Sequence, residues 1–222
     1  MEIEDLTTED IKVQLVKRMF EKQDELNIQT NGSDWKRNSN LKWYRAIWTE
    51  CAELIDYTNW KWWKKENESI RDAQMEAIDI WHFLMSTLLV SHNYDYNNII
   101  NLFEMSVPNF ETAEKHLDKI RNETEELVET TLLRNYHLSI YHFVVLCKLL
   151  NLNLEDVYKL YIGKNVLNKF RQNNGYKQKT YKKIWDGEED NVYLMNKIDQ
   201  LQITDKFENE VYELLEKKYT TI

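Results

Sequence analysis

Glycine and proline are nearly missing from this chain, with four glycines and one proline in 222 residues. A β-rich fold full of tight turns needs more of both, so helices are the expected element. Cysteine is equally scarce. Cys51 and Cys147 both sit in apolar helical patterns, which gives no disulfide framework and fits a reducing cytoplasm. Excess positive charge is also lacking. A formal net charge of −9 argues against binding to a nucleic-acid polymer, which needs a basic surface. It leaves room for a small anionic ligand wherever local Lys, Arg and metal ions supply positive charge. The start of the chain, MEIEDLTTED, has no apolar leader core. The apolar run at residues 77–90 is too short and too interrupted to span a bilayer. No GxxxxGK[ST] loop, GxGxxG turn or zinc-ligand spacing occurs. The expectation is a soluble cytoplasmic protein with no membrane partner, a single all-α domain over residues 1–222.

What is present is concentrated at residues 48–86, WTECAELIDYTNWKWWKKENESIRDAQMEAIDIWHFLMS. Two acidic pairs stand there, Glu50 with Glu53 and Glu76 with Asp79, each spaced i, i+3 and so on one side of a helix. Asp79 is the one acidic residue in AIDIWHFLMSTLLV, a run that reads as a helix buried on nearly every side. A buried carboxylate needs a cation or donors to meet it. Four carboxylates from two facing helices could cage a hard divalent cation. The competing reading of any acidic i, i+3 pair is a solvated face.

Along the chain, Thr8 is placed to cap a first helix, with Ile11, Leu15, Met19 and Leu26 as its apolar stripe. Gln23 and Asn27 lie one turn apart on it, and a buried amide must find partners for both of its edges, a backbone group being the simplest. A second helix begins near Lys42, with Tyr44, Ile47, Trp48, Cys51, Leu54 and Ile55 on its apolar side, Glu50 at the border and Glu53 further round. NWKWWKK, residues 59–65, is either aromatic packing with solvated lysines or a wall for a planar ligand. Phe83 shares the face of Glu76. His82 reads as a core histidine or a support behind the site rather than a ligand. Residues 92–134 read as a helical insertion whose charged pattern follows Pro108, and YHLSIYHFVVLCKLL after it reads as a buried helix. Asn153 is placed to cap the next helix, with Glu155 and Asp156 at its positive end.

A second block, GKNVLNKFRQNNGYK, spans residues 163–177. Lys164, Asn168 and Arg171 fall at i, i+4 and i+7 and form one ridge, and Asn174-Gly175 turns Tyr176 and Lys177 back toward the helix end. Such a ridge is ordinarily a solvated face. Arg suits phosphate through its planar fork, and Lys supplies a point charge.

The phrases ECAELID, WKWWK and EAIDIWHF, together with GKNVLNKFRQNNGYK, resemble the dimeric all-α dUTPases, relatives of the wider all-α NTP pyrophosphatases. The likeness is specific over these two blocks and loose at residues 92–134, where that family is variable and mobile. It implies a helical bundle with a helical insertion, and magnesium-dependent hydrolysis of dUTP, and of dUDP, to dUMP, with pyrophosphate released from dUTP. It implies two or three Mg²⁺ ions held by Glu50, Glu53, Glu76 and Asp79, with Glu50 also orienting the attacking water. It assigns the uracil edge to Gln23 and Asn27 of the Q-x-x-L-N motif, and base contacts to Trp60, Trp62 or Trp63 and to Phe83. It assigns the phosphates to Lys164, Asn168, Arg171, Tyr176 and Lys177, with Asn191 a weaker nucleotide contact. A homodimer is implied as well. Two rivals stand beside it: a pyrophosphatase for another nucleotide such as dCTP, and a helical interaction protein without activity.

Overall fold

A computed structural model describes residues 7–64, 68–92, 94–106 and 112–222. The first six residues, Lys65 of the tryptophan-rich connection and Pro108 lie outside them. The described residues are helical almost throughout, as the glycine and proline scarcity predicts, with one two-stranded hairpin. No single helix among them is long and apolar enough to cross a membrane. The chain divides into two compact units, Met1–Val157 and Tyr158–Ile222.

The first unit begins with α1, Thr8–Asn31. Its cap is Thr7, one residue before the expected Thr8: the Thr7 hydroxyl accepts from the Asp10 N–H while the Asp10 carboxylate accepts from the Thr7 N–H, a reciprocal capping box. The buried side of α1 is Leu15, Val16, Met19, Phe20, Gln23 and Asn27, and Ile11 of the expected stripe is exposed. A short 3₁₀ turn, Trp35–Arg37, leads to α2, Trp43–Asp56, which packs against α3, Ile70–Ser91. Then follow α4, Tyr96–Glu104, α5, Ala113–Leu132, and α6, Tyr136–Leu149.

The core forms where α1, α3 and α6 meet. Trp81 lies flat on Phe143, ring centroids 4.8 Å apart, with Phe20 edge-on to it, and its indole N–H points at the Met19 sulfur. Of the stretch expected to be an insertion, α5 packs on both α2 and α6 through Ile120 and Leu127 and keeps its charged side outward. Arg121 on α5 donates to the Thr58 hydroxyl and carbonyl, which ties α5 to the connection that follows α2. The α6 helix is buried on one side only, since Leu138 and Tyr141 are exposed.

The division between the units falls within α7, Leu154–Asn173. Its start is capped as expected, by reciprocal bonds between Asn153 and Asp156. The second unit adds β1, Ile184–Trp185, β2, Glu188–Glu189, α8, Asp190–Ile198, and α9, Phe207–Tyr219. Asp186 and Gly187 join the two strands with φ of 51° and 93°. Positive φ at both positions of a two-residue Asp-Gly loop matches the right-handed twist of the strands it connects. Phe170 gathers the rings of Tyr181, Trp185, Tyr212 and Tyr219 edge-on around it. Gly163 lets α8 approach α7 closely, because a Cβ there would stand 2.2 Å from Ile198 Cδ1.

Candidate active site

The helix α3 does not bury all round. Asp72, Glu76, Asp79 and Phe83, spaced four, three and four apart, are half-exposed, while the residues between them are largely buried. Asp79 is therefore at the margin of the core rather than inside it, as its apolar neighbours had suggested. On α2, Ile47, Cys51 and Leu54 are buried, Trp48 is exposed, and Glu50 lies half-buried beside Cys51. Helical repeat does this directly: one step before a buried position is a turn of about 100°, enough to reach the edge of the packed face.

Packing α2 against α3 brings Glu50, Glu76 and Asp79 together, with one oxygen from each within 4.8 Å of the others. Three of the four predicted carboxylates thus meet. Glu53, one turn further along α2, is exposed and is not one of these three. Three clustered carboxylates repel one another and offer only hard oxygen donors, which is the donor set of a magnesium or calcium ion rather than of a soft metal. Cys51, next to Glu50, adds no ligand: burial, then the Glu50 charge, pushes its thiol far above the usual range.

Further along α3, His82 and Ser86 meet the two amides of α1. The His82 ring Nδ1 and the Gln23 amide oxygen are 2.8 Å apart. Gln23 Nε2 donates to Asn27 Oδ1 at 3.2 Å and to the Ser86 hydroxyl at 3.0 Å, and Asn27 Nδ2 donates to the same hydroxyl at 2.9 Å. The Ser86 hydroxyl donates to the His82 carbonyl. Gln23 and Asn27 are 2% and 4% exposed. These four bonds run to side chains, where chemistry alone suggested backbone groups. Ser86 carries no motif in the sequence, and only its i+4 spacing from His82 hints at the shared face.

Aromatic residues flank this network. Phe83 lies 6.2 Å from Trp43, which meets Trp35 edge-on, and the Trp35 indole N–H donates to Asp24 beside Gln23. Trp43 was not among the sequence candidates. The predicted aromatic wall forms an exposed cluster: Trp63 stands edge-on to both Trp60 and Trp62, and Trp62 is 89% exposed. Asp56 anchors it by accepting from the Trp60 indole and from Lys61, whose hydrogen bond, with that of Trp60, holds the Asp56 carboxyl below its ordinary value.

In the second unit the predicted ridge is not a solvated face. Lys164 is 5% exposed and Arg171 8%. Arg171 grips Asp190, a residue with no exposed surface, through Nε to Oδ2 at 2.8 Å and Nη2 to Oδ1 at 2.6 Å. The same Nη2 reaches Asn191 Oδ1 at 3.1 Å, and Nη1 reaches Asn168 Oδ1 at 3.4 Å. Burial opposes the Arg171 charge, but the bonds and charge of Asp190 raise its pKa on balance. Tyr181 also donates to Asp190. Asp190 is the partner that sequence reasoning missed, although a buried Arg demands a carboxylate. Gly175, with φ of 90°, turns the chain at the predicted place, and the Tyr176 N–H caps the Arg171 carbonyl; Tyr176 and Lys177 are exposed. A Cβ on Gly175 would strike Thr180 Oγ1 at 2.1 Å.

No curated protein matches the chain. A family model described as dUTPase matches residues 15–176, which takes in α1 from Leu15 onward, both carboxylate-bearing helices and the block from Gly163 to Tyr176. With its helical architecture and the carboxylate group on α2 and α3, the chain belongs to the all-α dUTPase family.

Proposed function

We propose that this chain hydrolyses dUTP, and dUDP, to dUMP in a magnesium-dependent reaction that releases pyrophosphate from dUTP. Family membership supports a dUTP nucleotide hydrolase. The observation that carries the metal dependence is the convergence of Glu50, Glu76 and Asp79 within 4.8 Å. These three carboxylates would hold Mg²⁺, two or three ions in all, with Glu53 reaching them from the adjoining turn of α2. When bound, magnesium neutralises phosphate charge and makes a coordinated water more acidic.

Glu50 takes the proton of the water that attacks the α-phosphate, its place at the rim of the packed face of α2 giving it access to solvent. Gln23 and Asn27 read the uracil edge, and Phe83, Trp60 and Trp62 supply apolar surface for the base. Lys164, Asn168, Arg171, Tyr176 and Lys177 act on the phosphates. For Arg171, whose Nε and Nη2 are held by Asp190, the arm toward Asn168 is the one that serves. The protein works in the cytoplasm as a homodimer, and the exposed Trp48, Leu132, Leu133, Leu138 and Tyr141 supply apolar area for such a contact.

The deciding experiment incubates the protein with each dNTP and with dUDP, with and without Mg²⁺, and separates the products. dUMP and pyrophosphate from dUTP in magnesium alone is the expected result. Preferential turnover of dCTP would identify a pyrophosphatase of different base choice. Absence of any hydrolysis would leave a helical interaction protein.

A further inference from the structure

We infer that Ser86, with His82 behind it, is a specificity-determining positioning residue: it fixes which way the Gln23 and Asn27 amides face, and so makes the site select uracil over cytosine. The inference rests on the reading of Gln23 and Asn27 as the base-reading pair.

The reasoning is a count of hydrogens. A serine hydroxyl has one hydrogen and can accept two. The hydrogen of Ser86 goes to the His82 carbonyl one turn back, at 2.8 Å. Its oxygen can then only accept, and among the described residues the two groups that donate to it are Gln23 Nε2 at 3.0 Å and Asn27 Nδ2 at 2.9 Å. Ser86 has no exposed surface, so water does not offer an alternative partner. Both amides must therefore turn their NH₂ groups toward Ser86. The opposite end of Gln23 is fixed as well, because its oxygen faces His82 Nδ1 at 2.8 Å, and this contact is favourable only when that nitrogen carries a hydrogen. Gln23 Nε2 spends its second hydrogen on Asn27 Oδ1 at 3.2 Å. Turning either amide over would set NH₂ against donors and oxygen against the Ser86 lone pairs.

Asn27 is then left, among the described residues, with one Nδ2 hydrogen and one Oδ1 lone pair that no bond takes up. One donor beside one acceptor complements the carbonyl and adjacent ring N–H of uracil. Cytosine reverses that order, presenting an amino donor beside a ring-nitrogen acceptor. An amide free to turn over would pair with either base equally well, so the pair alone cannot choose. An amide locked by Ser86 can.

The test is the ratio of kcat/KM for dUTP to that for dCTP in the full-length protein. Ser86→Ala removes the acceptor that fixes both amides, and His82→Leu removes the donor that holds Gln23. Each should lower the ratio about tenfold, the scale of one hydrogen bond, with part of the change a gain for dCTP. His82→Asn, whose side-chain nitrogen stands where Nδ1 stood, should keep the preference. A purely structural role would depress both substrates together and leave the ratio in place. An unchanged ratio in folded Ser86→Ala and His82→Leu would overturn the inference, and should Ser86→Ala fail to fold, the contrast between His82→Leu and His82→Asn decides it. Failure of the underlying reading shows itself separately: the wild-type protein would then not prefer dUTP, or the ratio would survive Asn27→Ala, and the inference would fall with it.

Discussion

Arg171 and Asp190 share two parallel hydrogen bonds, of 2.8 and 2.6 Å, on a carboxylate with no exposed surface. Removing one partner of such a pair leaves an uncompensated buried charge, which costs about 3–5 kcal/mol. Asp190→Ala should therefore lower the melting temperature by on the order of 10 °C, and it also strips the Tyr181 hydroxyl of its acceptor. Calorimetry reads this directly, and a variant that melts with the wild type would show that the pair does not hold the second unit together.

The carboxylate group on α2 and α3 predicts linkage between metal and stability. Saturating Mg²⁺ at about a hundredfold above its dissociation constant should add ~2.7 kcal/mol, seen as a rise in melting temperature of about 5–10 °C. Asp79→Ala and Glu76→Ala should fold, since both side chains are only half-buried, yet lose the magnesium response and the turnover together. A normal Mg²⁺-dependent rate in Asp79→Ala would remove the metal site.

Lys164 and Arg171 are expected to act on charge that develops as the phosphate bond breaks. Their loss should then lower kcat more than it raises KM, by ~10²–10³ for an oriented donor. Arg171→Lys should rescue only in part, because lysine keeps the charge and loses the fork. The grip of Asp190 on Arg171 means these rates must be measured well below each variant's melting point. Wild-type turnover in Lys164→Ala, Arg171→Ala and Arg171→Lys would leave this block a structural one.

Alkali should destabilise the fold. Burial raises the thiols of Cys51 and Cys147 well above their ordinary value of 9.0, and Tyr96 is pushed up to about 12, first by burial and then by Tyr94. With folded pKa values raised, the unfolded chain releases protons that the folded chain retains. Stability is thus fully present below the ordinary thiol pKa of 9.0 and falls above it, by ~1.4 kcal/mol per pH unit for each thiol. Melting temperatures across this range check the sign, and Cys51→Ala with Cys147→Ala should flatten the slope. A melting temperature independent of pH there would contradict the burial of both thiols.

The sequence made the helices legible because their periodicity is strong and glycine and proline are so few. It made the carboxylates of α2 and α3 legible because a charge inside an apolar run is conspicuous. It misjudged Asp79, since hydrophobic neighbours report the average burial of a helix and not the side on which one residue stands. It missed Ser86 and Asp190 for a shared reason. Each matters through a partner distant in sequence, 59 and 63 residues away for Ser86 and 19 for Asp190, and neither leaves a local pattern. The hairpin at residues 184–189 was also unread, because two-residue strands are too short to show alternation, although Asp186-Gly187 between them is a turn signal.

Glu76, Asp79, Phe83 and Ser86 lie on one side of a single unbroken helix, so that helix acts as a ruler. From Glu76 to Ser86 it measures ~15 Å, at 1.5 Å per residue, and no loop intervenes to stretch it. Inserting one residue between Asp79 and Phe83 would swing everything beyond by about 100° and carry the Ser86 hydroxyl off that side. Only steps of three or four residues restore the facing, and each lengthens the span by about 5 Å. The distance from the carboxylates to the buried amides is therefore quantised. Descendants of this sequence can reshape the ligand between those two points by exchanging side chains, but they cannot lengthen the helix gradually.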